Sequence, residues 1–293
     1  MREMKKLVMV LVIAFGCCKT VTAAELVVRH VRPESVNDQR QPYYIAMMTL
    51  ALEKTRATDG PFRLAMEKET MSQARAVKQL EDNQGVDIVW TMTSREREKK
   101  LRPIRIPLLK GLLGYRIFII RKEDEYRFAT IQTLEELKKL KAGQGKDWPD
   151  TKILRANGIP VEGCVKYKGL FRMLSYKRFD YFPRGVNEIW EEVRTHSDLV
   201  VEKTLLLEYP APIYFFVNKH NSELAQRLDK GLRLAIRDGS FDRLFRHHPS
   251  NRPIFELAQM EKRKIFLLQN PLLPEETPLW DKALWYSVED ERR

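Results

Sequence analysis

The chain has 293 residues, 43% of them hydrophobic and 31% charged, with a formal net charge of +12. That length and apolar content suit one large core or two smaller ones and exclude a disordered chain. A basic balance points first to nucleic acid, but here the charges mix, as in REREKK (95–100) and EELKKLK (135–141), instead of forming one basic stripe. A solvated surface, or one facing anionic lipid headgroups, is the expectation, with no nucleic acid partner.

The first residues combine a basic start (Arg2, Lys5, Lys6), a twelve-residue apolar run from Leu7 to Cys18, and small residues at Ala23 and Ala24. This is the three-part pattern of a secretory signal peptide over residues 1–23, cleaved near Ala23/Ala24. The run is shorter than the roughly 20 residues a membrane-crossing helix needs. A lipid anchor at Cys17 or Cys18 would require a small residue where Phe15 stands and an aliphatic one where Ala14 stands. After cleavage the charge falls to +9 and Cys164 is the one remaining cysteine, so no internal disulfide is expected and the fold must rely on its core. Cys164 reads as a small buried side chain or, alternatively, as a thiol nucleophile.

From Glu25 onward short β-like runs alternate with helical ones. ELVVRHV (25–31) reads as a strand. In YYIAMMTLALEKT (43–55), residues Tyr44, Met47, Met48, Ala51 and Leu52 share one helical face. A strand PFRLAME (61–67), a helix from about Ser72 to Asp82 and a strand VDIVWTM (86–92) complete a βαβαβ order, which implies crossovers and a mainly parallel sheet. Extended runs IRIPLL (104–109) and YRIFIIRK (115–122) follow, then a helix start at TLEELKKLK (133–141), where Thr133 and Glu136 have capping-box spacing. Helix-like TKILRANG (151–158), strand VEGCV (161–165), helix YKGLFRMLSYK (167–177), strand FDYF (179–182) and helix VNEIWEEV (186–193) come next. Two β-like runs, LVVEKTLLL and PIYFFVN, lead into a long helix with the stripe Leu224, Leu228, Leu232 and Ala235, stopped at DGS (238–240) and followed by FDRLFRHH. The proline-rich tail from Pro249, with NPLLPEETPLW (270–280), is expected to run as an extended strap anchored by Trp280 and Trp285.

The stretch AGQGKDWPDTKILRANG (142–158) invites comparison with phosphate loops and fails it. A Walker loop needs glycine where Leu140 stands, Ser or Thr where Asp147 stands, and a preceding strand where a helix is expected; Gly143, Gly145 and Trp148 do not complete a dinucleotide fingerprint. Two readings remain: a glycine turn and helix end aimed at a small anion, or an ordinary loop capped by Asp147. No G-x-S-x-G or H-E-x-x-H motif occurs, and His30, His196, His220, His247 and His248 are scattered apart from the adjacent pair. No catalytic residue, metal site or cofactor is expected.

The segment VKQLEDNQGVDIVWTMTSREREKKLRPIRIPLLKGLLGYRIFIIRKED (77–124), with TLEELKKLKAGQG, LFRMLSYKRFDYF and NSELAQRLDKGLRLAIRDGSFDRLF, resembles the family 3 periplasmic solute-binding proteins of amino-acid ABC transporters in order and spacing over residues 25–248. The resemblance implies an α/β, type II periplasmic-binding-protein fold: two α/β lobes joined by two hinge crossovers, with lobe 1 made of 25–112 plus 206–293 and its C-terminal strap, and lobe 2 of 113–205. It implies a periplasmic, monomeric binder of a small-molecule solute, and a membrane permease as partner.

The family's carboxylate-gripping arginine maps to Arg97, with Arg95 as competitor, and its glycine loop to Gly145, where Lys146 replaces a hydroxyl. A guanidinium matches a carboxylate with two parallel hydrogen bonds. The family's acidic partner for a ligand ammonium would fall at Gly185, next to Arg184. A cleft lined by Arg97, Lys146 and Arg184, with Trp90 and Trp148 as apolar walls, would suit an anionic or carboxylate-bearing solute. The rival class is a dehydratase-like enzyme, for which Glu34 is the nominated acid; a sensory or accessory binder is the third. A lytic transglycosylase would need a further catalytic domain, which the 45 residues after His248 cannot build.

Overall fold

A computed structural model describes residues 25–33 and 40–288. Residues 1–23, where a signal peptide is expected, and Glu34 lie outside the described residues. In chain order the first part comprises β1 (Leu26–Arg32), α1 (Gln41–Lys54), the short α2 (Arg56–Asp59), β2 (Phe62–Thr70), α3 (Gln73–Glu81), β3 (Ile88–Met92), α4 (Arg95–Lys100) and β4 (Leu101–Ile104). Next come β5 (Tyr115–Arg121), α5 (Glu125–Ala129), α6 (Leu134–Leu137), β6 (Ala142–Gly145), α7 (Pro149–Ala156), β7 (Val161–Cys164), α8 (Tyr167–Ser175), β8 (Phe182–Gly185), α9 (Ile189–Arg194), β9 (Leu199–Val201) and β10 (Leu205–Glu208). The chain then returns through β11 (Ile213–Asn218), α10 (Ser222–Arg237), α11 (Ser240–His247), α12 (Arg252–Leu257) and β12 (Lys264–Leu267).

These elements form two α/β lobes. The first sheet runs β2-β1-β3-β11-β4, with β1 parallel to β2 and β3, and β11 antiparallel to β3 and β4. The second runs β12-β10-β5-β8, with β9 also on β5; β6 pairs with β7 and touches Tyr181 just ahead of β8. The chain passes to the second sheet once more between β11 and β12; before that, two crossovers join the sheets, Ile104 to Tyr115 and Glu208 to Ile213. They run in contact: Tyr209 N donates to the Gly114 carbonyl (3.2 Å), and a Cβ at Gly114 would stand 1.8 Å from the Tyr209 oxygen.

The helix faces expected from periodicity are the buried ones. Tyr44, Met47, Met48, Ala51 and Leu52 of α1 face Leu224, Leu228, Leu232 and Ala235 of α10, which crosses closely enough that a Cβ at Gly231 would lie 1.9 Å from the Ala51 oxygen. A smaller cluster on the other side of the first sheet joins Ala76 and Leu80 of α3 to Val89, Tyr214 and Phe216. No helix among the described residues is long and apolar enough to cross a membrane.

The tail departs from the expectation that it belongs to lobe 1. Its strand β12 extends the second sheet, parallel to β10. Gln269 then exchanges hydrogen bonds with Asn157 (2.8 and 3.0 Å), Asn270 Nδ2 donates to Pro210 of the second crossover (2.7 Å), and Arg95 of the first lobe donates to Pro271 and Leu272 (2.6 and 3.0 Å). Trp285 covers Gly111, whose φ of 83° needs glycine, and Tyr286 N donates to Lys110 (2.8 Å), so the tail closes over the first crossover. Trp285 is therefore an anchor, whereas Trp280 is 82% exposed and anchors nothing.

Candidate functional site

In the first lobe the site begins where β3 ends. Ser94 leaves the strand in an extended conformation and caps α4, its hydroxyl accepting from Arg97 N (3.2 Å). Arg97 turns back on the strand, and Nη1 donates to the Met92 carbonyl. The guanidinium is half-buried, and desolvation lowers its pKa; no carboxylate among the described residues forms a salt bridge with it. Its neighbours differ. Arg95 is exposed and holds the tail, and Glu98 is buried and paired with Arg105 (2.5 Å). Trp90 stacks on Tyr44 (5.5 Å between ring centres, 22°) and meets Phe215 edge-on and His30 at 6.2 Å, forming an aromatic group with both neighbouring elements.

In the second lobe the glycine-rich stretch is a buried strand, β6, rather than a turn. The reason is ring packing: a Cβ at Gly143 would sit 2.1 Å from the Phe179 ring, and one at Gly145 2.4 Å from Trp148. Trp148, not Asp147, occupies the cap position of α7, and caps nothing with its side chain. Lys146 has an exposed side chain.

Arg184 overturns its expected role. Its side chain is buried, grips Glu192 with two bonds of 2.6 Å, reaches Glu188 at 3.2 Å, and lies 4.8 Å above the Trp148 ring. Burial alone would favour losing its proton, but Glu188 and Glu192 more than offset this and raise its pKa. Its charge is spent inside the protein, so it offers nothing to an anionic solute. Spacing could not show this, because the partners lie on the helix that follows.

Arg184 belongs to a larger buried network that the sequence reading missed. Arg116 of β5, 1% exposed, pairs with Asp150 in the first turn of α7 (2.6 Å) and with Glu188 (3.1 Å), and donates to Tyr209 Oη (3.1 Å). Tyr209 in turn donates to Asp150, tying the second crossover into the cluster. Asp150, in the first turn of α7, thus turns its carboxylate into this cluster. Arg40, at the N-cap of α1 in the first lobe, reaches across to Glu188 (2.7 Å). A signal for this network was present: Arg116 interrupts an otherwise apolar strand, YRIFII, and a charge there must be paired.

Glu188 carries the most partners. Burial would raise its pKa, but Arg184, Arg40 and Arg116 hold it at about 2, below the ordinary 4.5. Because the folded value is the lower one, this pairing contributes its full stability above pH 4.5 and loses it as pH falls toward about 2. Thermal unfolding followed from pH 5 to 2 should show Glu188→Gln losing less of its midpoint than the wild type over that window; parallel curves would remove Glu188 from the acid response.

Gly145, Trp148 and Arg184 thus come together in the second lobe, whereas Arg97 and Trp90 belong to the first. No group of three metal-ligating side chains occurs among the described residues.

No family model matches the chain, and no curated protein matches it. Solved structures do. A probable amino-acid ABC transporter extracellular-binding protein of Bacillus subtilis is similar with a TM-score of 0.55 at 19% identity, over 75% of this chain and 97% of its own. A Salmonella typhimurium periplasmic binding protein described for its high arginine specificity gives 0.53 at 14% identity, over 75% and 97%. A Streptococcus pneumoniae amino acid ABC transporter substrate-binding protein bound to L-arginine gives 0.53 at 13%, over 79% and 94%. At these identities the likeness is one of fold: the chain has the type II periplasmic-binding-protein fold.

Proposed function

We propose that this chain is an exported, periplasmic solute-binding protein of the family 3 type, which holds a small carboxylate-bearing solute between its lobes and delivers it to an ABC-type permease. The fold supports the solute-binding part, and the names of the similar structures support the importer. Arg97 carries the ligand part. A half-buried guanidinium with no carboxylate partner among the described residues, beside the end of a central strand, is an under-compensated cation that a bidentate carboxylate would satisfy. Arg184 does not call for a wholly anionic ligand, since Glu192 and Glu188 already neutralise that side chain.

Binding fits better than catalysis. Three acids the fold gathers at the second lobe, Asp150, Glu188 and Glu192, are each committed to arginines, and none is free to act as a base. Calorimetric screening of amino acids and dicarboxylates against the mature protein tests the reading. The best ligand should bind Arg97→Gln about 10- to 100-fold more weakly, the loss expected for one charge-assisted contact of about 1.5–3 kcal/mol. An unchanged affinity would remove Arg97 from the site.

A further inference from the structure

The charges of the second-lobe network do not balance within that lobe. Arg116 and Arg184 face Asp150, Glu188 and Glu192, two cations against three anions, all with side chains at most 12% exposed. Tyr209 adds no charge, because burial raises its phenol far above neutrality. The lobe is therefore one cation short, and burying an uncompensated carboxylate is costly.

The missing cation comes from the other lobe. Arg40 meets Glu188 Oε1 at 2.7 Å while its own side chain stays 40% exposed, so it reaches in from solvent rather than lying in a core. A second acceptor lies near the same carboxylate: Asn187 Oδ1 is buried without a hydrogen-bond partner, and both it and Glu188 Oε2 lie within 3.0 Å of where a Cβ at Gly185 would stand. Glycine at 185 lets both acceptors pack against the backbone, where a side chain would clash.

We propose that Glu188 and Asn187 form a socket for one cationic group, and that Arg40 fills it as a tethered plug which a solute's guanidinium or primary ammonium must displace. The inference rests on the solute-binding reading above and narrows it: the solute would bear a cation as well as a carboxylate. It also gives the interlobe contact a role in selectivity. A neutral group cannot exchange with Arg40 without leaving the socket uncompensated, whereas a cation exchanges one charge for another.

The test uses two probes on the mature protein, agmatine (a guanidinium without a carboxylate) and glutarate (carboxylates without a cation), with affinities from calorimetry and folding checked by circular dichroism. Arg40→Gln should bind agmatine at least about tenfold more tightly than the wild type, because the competing plug is gone. Adding Glu188→Gln should abolish that gain. Arg40→Met, which keeps the apolar stem, gives the same comparison if Arg40→Gln does not fold. Agmatine affinity unchanged or weakened in a folded Arg40 variant would show that Arg40 is only a strut and overturn the proposal. Glutarate separates the two readings: its binding should depend on Arg97 and not on Arg40. Loss of the Arg97 dependence would strike the carboxylate assignment and leave the plug to the agmatine result.

Discussion

Replacing Arg116 by methionine is expected to destabilise the protein by about 3–5 kcal/mol, the range for removing one partner of a buried ion pair. Methionine fills most of the space but leaves Asp150 and Glu188 facing each other with one cation fewer, and it strands the Tyr209 hydroxyl between groups that can no longer balance it. Urea unfolding would report the loss as a lower midpoint with little change in slope. The double variant Arg116→Met with Asp150→Leu should recover part of it, since an apolar pair of similar volume is often no worse than the ion pair it replaces. A loss below about 1 kcal/mol would mean that water reaches the cluster and screens it.

Gly114→Val should cost about 1–3 kcal/mol or more. The crossovers touch there, backbone to backbone, and any Cβ meets the Tyr209 carbonyl at 1.8 Å and the Ala211 side chain at 3.2 Å. Relief requires the two connections to move apart, which breaks the Tyr209–Gly114 hydrogen bond and shifts Tyr209 away from Arg116 and Asp150. The variant should therefore lose ligand affinity as well as stability, and calorimetry beside thermal unfolding would show both. A drop in stability with affinity intact would uncouple the hinge from the site.

Much of the fold was legible because its signals are local. The stripe on α10 and the face of α1 follow from periodicity, and Thr133 and Glu136 make both capping-box bonds that their spacing promised. The misses share one cause. Glycines 143 and 145 read as a turn, but they are demanded by Phe179 and Trp148, contacts no local pattern encodes. FDYF reads as a strand, yet the ladder to β5 runs over Phe182–Gly185, because Asp180 is used as a side-chain acceptor for Lys141 N (2.8 Å) and Arg127 (2.9 Å). In the sequence Arg184 stands out only by its position next to a glycine, while its partners are Glu188 and Glu192. Arg40 and Glu188 are 148 residues apart, and only the assembled lobes bring them within reach.

The order in which strands enter the sheets has a temporal consequence. The first sheet is incomplete until β11 slots between β3 and β4, and the second lacks its edge until β12 arrives from the far end of the chain. A polypeptide emerging from its amino end cannot complete the first sheet before Asn218 has appeared or the second before Leu267, and such distant pairings form slowly. The seam from Gln269 to Tyr286 is sewn last, so the mutual orientation of the halves is settled only by the final stretch to be made.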